Sequence, residues 1–113
     1  MRILILEDDP FIATDLEMLV DDIAGAVSVV SASIAGARVA IADELAFAIL
    51  DVDLVDGKSF EIADALTAQA TPFVFVSGSP REQMPERLRA APFIAKPFRL
   101  YELQAAMRAA GIG

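Results

Sequence analysis

Residues 47–57 read Phe-Ala-Ile-Leu-Asp-Val-Asp-Leu-Val-Asp-Gly (FAILDVDLVDG), and this stretch decides the fold. Phe47–Val52 is a nearly unbroken apolar run of strand length. Such a run suits a strand covered on both faces, as in parallel sheets. It carries Asp51 near its end. An unpaired carboxylate inside an apolar strand is costly, so Asp51 points to function over simple solvation. Asp56-Gly57 then marks a tight turn.

The same alternation extends in both directions. Upstream, Arg2–Leu6 (RILIL) reads as a buried strand ending in Glu7, Asp8 and Asp9. Phe11–Ile23 sets Ile12, Leu16, Leu19, Val20 and Ile23 on one helical face, and Gly25 stops it. Val27–Ala32 (VSVVSA) is a second strand, and Ile34–Ala42 a short Ala-rich helix with Ser33 as candidate N-cap. Downstream, a helix is predicted over Ser59–Gln69 with Phe60, Ala63 and Leu66 inward, then a strand over Phe73–Ser77 (FVFVS). Gly78-Ser79-Pro80 opens a loop, and Pro85 suits the first turn of a short helix to Arg89. Phe93–Ala95 is a short fifth strand. Leu100–Ala110 is the last helix, with Leu100, Leu103 and Met107 inward and Gly111 at its C-terminal cap. Met84 and Met107 read as gap-filling core. A strand followed by a helix, five times over, predicts an α/β chain with parallel pairing and right-handed crossovers: a doubly wound five-stranded sheet forming one domain over 1–113. No linker, repeat or second domain is expected.

Composition bounds the chemistry. The 113 residues are 56% hydrophobic, with mean hydropathy +0.53 and no Cys, His or Trp. Thiol and imidazole chemistry is therefore absent, and any metal must be oxygen-liganded, which favours Mg²⁺, Ca²⁺ or Mn²⁺. Net charge is −8, unevenly spread: residues 1–57 carry 12 acidic and 2 basic side chains, residues 58–113 carry 5 and 7. The acidic balance argues against a nucleic-acid partner. No apolar run reaches the roughly 18–20 residues that span a bilayer. Met1 leads straight into a strand with no leader pattern, so a cytoplasmic protein without a membrane partner is expected.

In open parallel sheets the site lies at the carboxyl ends of the strands. Here those ends carry Glu7-Asp8-Asp9, Asp51, Ser77 and Lys96. Crowded carboxylates repel unless a cation joins them. Mg²⁺ typically takes one or two carboxylates plus phosphate and water. A carboxylate is also a nucleophile able to form an aspartyl phosphate, and phosphoryl transfer asks mainly for positioning and charge neutralisation. Simpler roles also fit: Asp8 and Asp9 suit helix N-caps before Pro10, Ser77 a turn, Lys96 the surface, and Phe93 the core.

ILILEDDP, AILDVDLVDG, FVFVSGS and FIAKPF, in that order, resemble the four motifs of the receiver domain of bacterial two-component response regulators, and cover nearly the whole chain. The resemblance implies the (βα)5 flavodoxin-like fold with strand order 2-1-3-4-5. It implies Asp51 as phosphoacceptor and Mg²⁺ ligand, Glu7 and Asp8 as the acidic pair, and the backbone carbonyl of Asp53 as a further ligand. Ser77 would turn toward the phosphoryl group, Lys96 would be its counter-charge with Pro97 fixing the backbone, and Phe93 would be the rotating switch residue. The donor would be a histidine kinase or histidine phosphotransfer protein. A downstream protein would meet the face of the fourth helix, fifth strand and fifth helix. The chain would be a stand-alone phosphoacceptor in signalling, with no output domain and no enzymatic turnover beyond its own phosphorylation and dephosphorylation.

Departures from the pattern are local. The loop after Asp51 is short and lacks the usual Pro, and the Ser77–Lys96 segment is compact enough to predict a reduced fourth helix. PFVFVSGSP partly resembles single-domain receivers with a Phe-Ala-Thr-Gly-hydrophobic-Tyr motif, and the short loop resembles receivers paired with HWE-type histidine kinases. Two other readings stand beside this one. Asp51-Val52-Asp53-Leu54-Val55 matches the D-x-D-x-[TV] motif of haloacid-dehalogenase-like phosphatases, although it sits on the third strand and not the first. A pseudo-receiver would keep the fold as a binding module without phosphorylation.

Overall fold

The run that ends on Asp51 is the central strand of the sheet. A computed structural model describes all residues, Met1–Gly113. Five strands pair in parallel: β1 (Arg2–Leu6), β2 (Val27–Ser31), β3 (Phe47–Asp51), β4 (Phe73–Ser77) and β5 (Phe93–Ala95). Their order across the sheet is β2-β1-β3-β4-β5, the doubly wound 2-1-3-4-5 arrangement that the resemblance implied. Four α-helices cover it: α1 (Pro10–Asp21), α2 (Ile34–Ala40), α3 (Phe60–Ala68) and α4 (Leu100–Ala109).

The alternation of side chains along each strand divides the interior in two. Leu4, Leu6, Ala48, Leu50 and Phe75 face a core shared with Ile34 and Ala37 of α2 and Ile62 and Leu66 of α3. Ile3, Ile5, Phe47, Ile49, Val74 and Val76 face the other, shared with Leu16 and Val20 of α1 and Leu103 and Met107 of α4. The three inner strands are buried on both faces. β2 is only half-buried, with Val27 and Val30 exposed, because it forms the sheet's edge.

Local signals set the helix ends. Asp9 caps α1, its carboxylate accepting from the Phe11 amide at 2.9 Å, with Pro10 at the first helical position. Ser33 caps α2 by accepting from the Gly36 amide at 3.0 Å. Asp56, from the loop after β3, adds acceptors for the Ile34 and Ala35 amides at 2.7 and 3.1 Å. A Cβ at Gly36 would meet Ser31 Oγ at 2.2 Å, so a larger residue there would have to turn that hydroxyl off the Ser33 carbonyl. Gly111 ends the chain's last helix in the left-handed region, at φ +83°.

The structure sharpens two expectations, the Asp56-Gly57 turn and the reduced fourth helix, and corrects a third, the inward place of Leu100. The Asp56-Gly57 turn is part of a small antiparallel hairpin, Asp53–Leu54 against Gly57–Lys58. The fourth helix is reduced to two 3₁₀ turns, Arg81–Gln83 and Glu86–Leu88. Pro80 and Pro85 are the reason: neither can donate an amide, and Met84 before Pro85 is pushed extended (φ −81°, ψ 155°), which leaves no run long enough for α-helical bonding. Leu100 points outward, and Phe98 packs against the α1–α4 core instead.

Leu66 is fully buried between α3 and the sheet. Leu66→Ala should lower unfolding free energy by about 2–5 kcal/mol, a large share of a small domain's stability. Val39, 75% exposed on α2, should tolerate Val39→Ala within about 0.5 kcal/mol. Urea titrations of the two variants would check the contrast; equal midpoints would contradict the burial pattern.

Candidate phosphoacceptor site

Three strand ends deliver charge to one point. Glu7 follows β1, Asp51 closes β3, and Lys96 follows β5. Glu7, Asp8 and Asp51 each place a carboxylate oxygen within 4.8 Å of the others. Glu7 and Asp51 are buried and Asp8 is more open. Lys96 Nζ donates to both Glu7 oxygens at 3.2 and 3.1 Å and lies 3.4 Å from Asp51 Oδ2. Its backbone is held by the Lys96 amide donating to the Ser77 carbonyl at 2.8 Å, and the peptide that follows, to Pro97, is cis.

Two buried carboxylates beside one ammonium shift each other's protonation. Burial pushes Glu7 up, the Asp51 charge adds to this, and Lys96 and the Asp9 amide oppose it; Glu7 stands at about 7 against an ordinary 4.5. Burial also raises Asp51, against the pull of Lys96 and of the Val52 amide, which donates to Asp51 Oδ1 at 2.8 Å. Burial lowers Lys96, but Asp51 and Glu7 more than reverse it, so the ammonium is held charged. The cluster thus has more negative charge than Lys96 neutralises. Its all-oxygen donor set and crowded carboxylates fit a hard divalent cation such as Mg²⁺.

Ser77 is buried at the end of β4, beside β3, where Val76 pairs with Asp51. Its Oγ accepts from the Ser79 amide at 3.0 Å, so its own proton remains free to donate. Asp53 stays out of the carboxylate cluster. Its side chain is paired with Lys58 and accepts from Ser79 Oγ at 3.2 Å. The Lys58 hydrogen bond is the main cause holding Asp53 below its ordinary value. The second carboxylate of the D-x-D pattern is therefore engaged elsewhere. Phe93 is half-buried at the start of β5, with the Arg81 guanidinium 5.0 Å over its ring.

Lys58 and Arg81 were missed as site neighbours. Asp-Gly is a hairpin signal, but pairing outward from it would set Val55 opposite Lys58; the turn residues are Val55-Asp56, one position earlier, and this brings Lys58 opposite Asp53. No local signal links Arg81 to Phe93.

No family sequence profile matches the chain, and no curated protein matches it. Among solved structures, SdrG from Sphingomonas melonis Fr1 is 36% identical, with TM-score 0.80 over 99% of this chain and 97% of that one. The BeF3-activated conformation of SdrG from Pseudomonas melonis Fr1 is 37% identical, with TM-score 0.76 over 99% and 96%. The non-phosphorylated HemR receiver domain from Leptospira biflexa, at 24% identity and TM-score 0.80 over 96% and 92%, shares the fold. The chain belongs to the response regulator receiver family. No helix in it is long and apolar enough to cross a membrane.

The raised Glu7 gives a pH dependence with a definite sign. Between about pH 4.5, where Glu7 ionises in the unfolded chain, and about 7, where it ionises in the fold, the native state holds more protons. Stability of the metal-free protein should fall as pH rises through that window, and Asp51 acts in the same direction. Urea unfolding in EDTA at several pH values would show the slope, and Glu7→Gln should flatten it. A stability that rises across the window in the wild type would contradict the assignment.

Proposed function

We propose that the chain accepts a phosphoryl group on Asp51 from a phosphohistidine of a histidine kinase or phosphotransfer protein, and signals through protein partners. The observation that carries this is the Glu7–Asp8–Asp51 cluster bridged by Lys96 at the strand ends of a receiver fold. The chain has no His, so the donor histidine lies outside these 113 residues. An Asp51 carboxylate oxygen forms the bond to phosphorus as the P–N bond to the donor imidazole breaks, and the imidazole leaves with the bonding pair and takes up a proton. Glu7, Asp8 and Asp51, with the Asp53 backbone carbonyl, would hold Mg²⁺. Bound there, it would neutralise charge on the phosphoryl oxygens.

Lys96 supplies the remaining counter-charge. It already faces Asp51 Oδ2 and can follow the new phosphoryl oxygens while releasing Glu7. Ser77 offers a free hydroxyl proton one strand away. Its movement toward the phosphoryl group would carry Gly78–Pro80, and with them Arg81, which rests on Phe93. The surface so altered is that of the two 3₁₀ turns, β5 and α4, where Arg81, Arg87, Arg89, Arg99 and Arg108 lie. The BeF3-activated form of SdrG, from a 37% identical chain, supports such a two-state response.

Transfer from an autophosphorylated histidine kinase should label the wild type in Mg²⁺ and not in EDTA. Asp51→Asn should abolish labelling. Lys96→Met should retain the fold but lose at least about tenfold in transfer rate, as expected when a charged group that stabilises the transition state is removed. Labelling that survives Asp51→Asn would overturn the proposal.

A further inference from the structure

Asp53 is the acceptor-loop carboxylate that the cluster leaves out. It lies two residues past Asp51, about 7 Å of extended chain, yet its side chain is held by Lys58 on one oxygen and by Ser79 Oγ at 3.2 Å on the other. The arrangement is built into the hairpin. Asp53 and Lys58 are directly opposed across its two strands, where opposite charges attract. Lys58 pairs with no other carboxylate, while Lys96 serves Glu7 and Asp51. Lys58, Ser77 and Ser79 also line one small cavity of about 50 Å³. Lys58 therefore holds Asp53 while Lys96 holds Glu7 and Asp51.

Resting on the phosphoacceptor reading above, we propose that Lys58 is a positioning residue that tethers the Asp53 carboxylate away from the cation site, and so sets that site's preference for Mg²⁺ over Ca²⁺. Both ions are hard and take oxygen, so charge alone separates them poorly. Mg²⁺ demands near-octahedral geometry, keeps several waters and is served by one or two carboxylates. Ca²⁺ accepts six to eight oxygens in looser arrangements. A fourth carboxylate, released from Lys58, would add a ligand that Ca²⁺ can use and Mg²⁺ cannot. It would also occupy room that a phosphoryl group needs. An exposed ion pair contributes little to stability, and both partners are about half exposed. The effect of Lys58 is therefore expected in ion selectivity and not in folding.

Calorimetric titration of the full chain with Mg²⁺ and, separately, with Ca²⁺ tests this in the wild type, Lys58→Met, Lys58→Arg, Asp53→Asn and the Lys58→Met/Asp53→Asn double variant. Lys58→Met should move the ratio of the two Kd values toward Ca²⁺ by about fivefold or more, Lys58→Arg should stay within about twofold of wild type, and the shift should vanish in the Asp53→Asn background, where no carboxylate is left to release. Circular dichroism and urea midpoints would confirm that the variants fold alike. An unchanged ratio in Lys58→Met, with Mg²⁺ still bound by the wild type, would overturn the tether and leave the phosphoacceptor reading intact. An equal shift in both backgrounds would also overturn it, because charge loss alone would then explain the result. A wild type that binds neither ion would overturn both.

Discussion

One ammonium group holds this site together. Lys96 Nζ reaches Glu7 at 3.1 Å and Asp51 at 3.4 Å, and so ties the ends of β1, β3 and β5 to one point. Both carboxylates are buried, and without the lysine they would face each other with nothing between them but repulsion. Removing one partner from a buried ionic group is far more damaging than the group is stabilising. The arrangement is therefore better understood as poised than as stabilising. It keeps two carboxylates together, under-neutralised, with the pKa of Glu7 pushed to about 7. Under the proposed function, cation binding and phosphoryl chemistry would both draw on that deficit of positive charge.

The scaffold that makes this possible was largely legible in the residues. Apolar runs of strand length ending in polar groups correspond to β1, β3, β4 and β5, and the strand alternation sorts Leu4, Leu6, Leu50 and Phe75 from Ile3, Ile5, Ile49 and Val74 into the two cores. Asp9-Pro10, Ser33 and Gly111 mark helix ends as their chemistry requires. The misplaced details have physical causes. Helix periodicity tolerates Leu100 as an inward residue, but at the first turn of α4 the inward place is taken by Phe98 from the preceding loop. Pro80 and Pro85 argue for interruption, and their joint effect is to prevent an α-helix altogether.

The site was legible as a set of residue types at strand ends, and less so as a set of pairs. That Glu7, Asp8, Asp51 and Lys96 converge follows from parallel topology, since every strand delivers its carboxyl end to the same edge. Which side chain meets which does not follow. The Asp56 contact with the α2 amides spans more than 20 residues, and the Arg81 guanidinium lies over Phe93 while donating to the Arg89 and Ala91 carbonyls, contacts that no local pattern signals. Asp53 shows the limit best: its position two residues after Asp51 suggests shared chemistry, while its side chain is turned to Lys58 and Ser79.

The identity of the acceptor atom can be read chemically. An aspartyl phosphate is an acyl phosphate, and borohydride reduces it to a homoserine residue that peptide mass mapping can place. After transfer from a phosphorylated histidine kinase, reduction should leave homoserine at position 51 and at no other acidic residue. Homoserine at Asp8 or Asp53 in its place, 2-amino-5-hydroxypentanoic acid at Glu7, or phosphate retained as a hydroxyl ester on Ser77, would contradict the assignment of Asp51 as the phosphoacceptor.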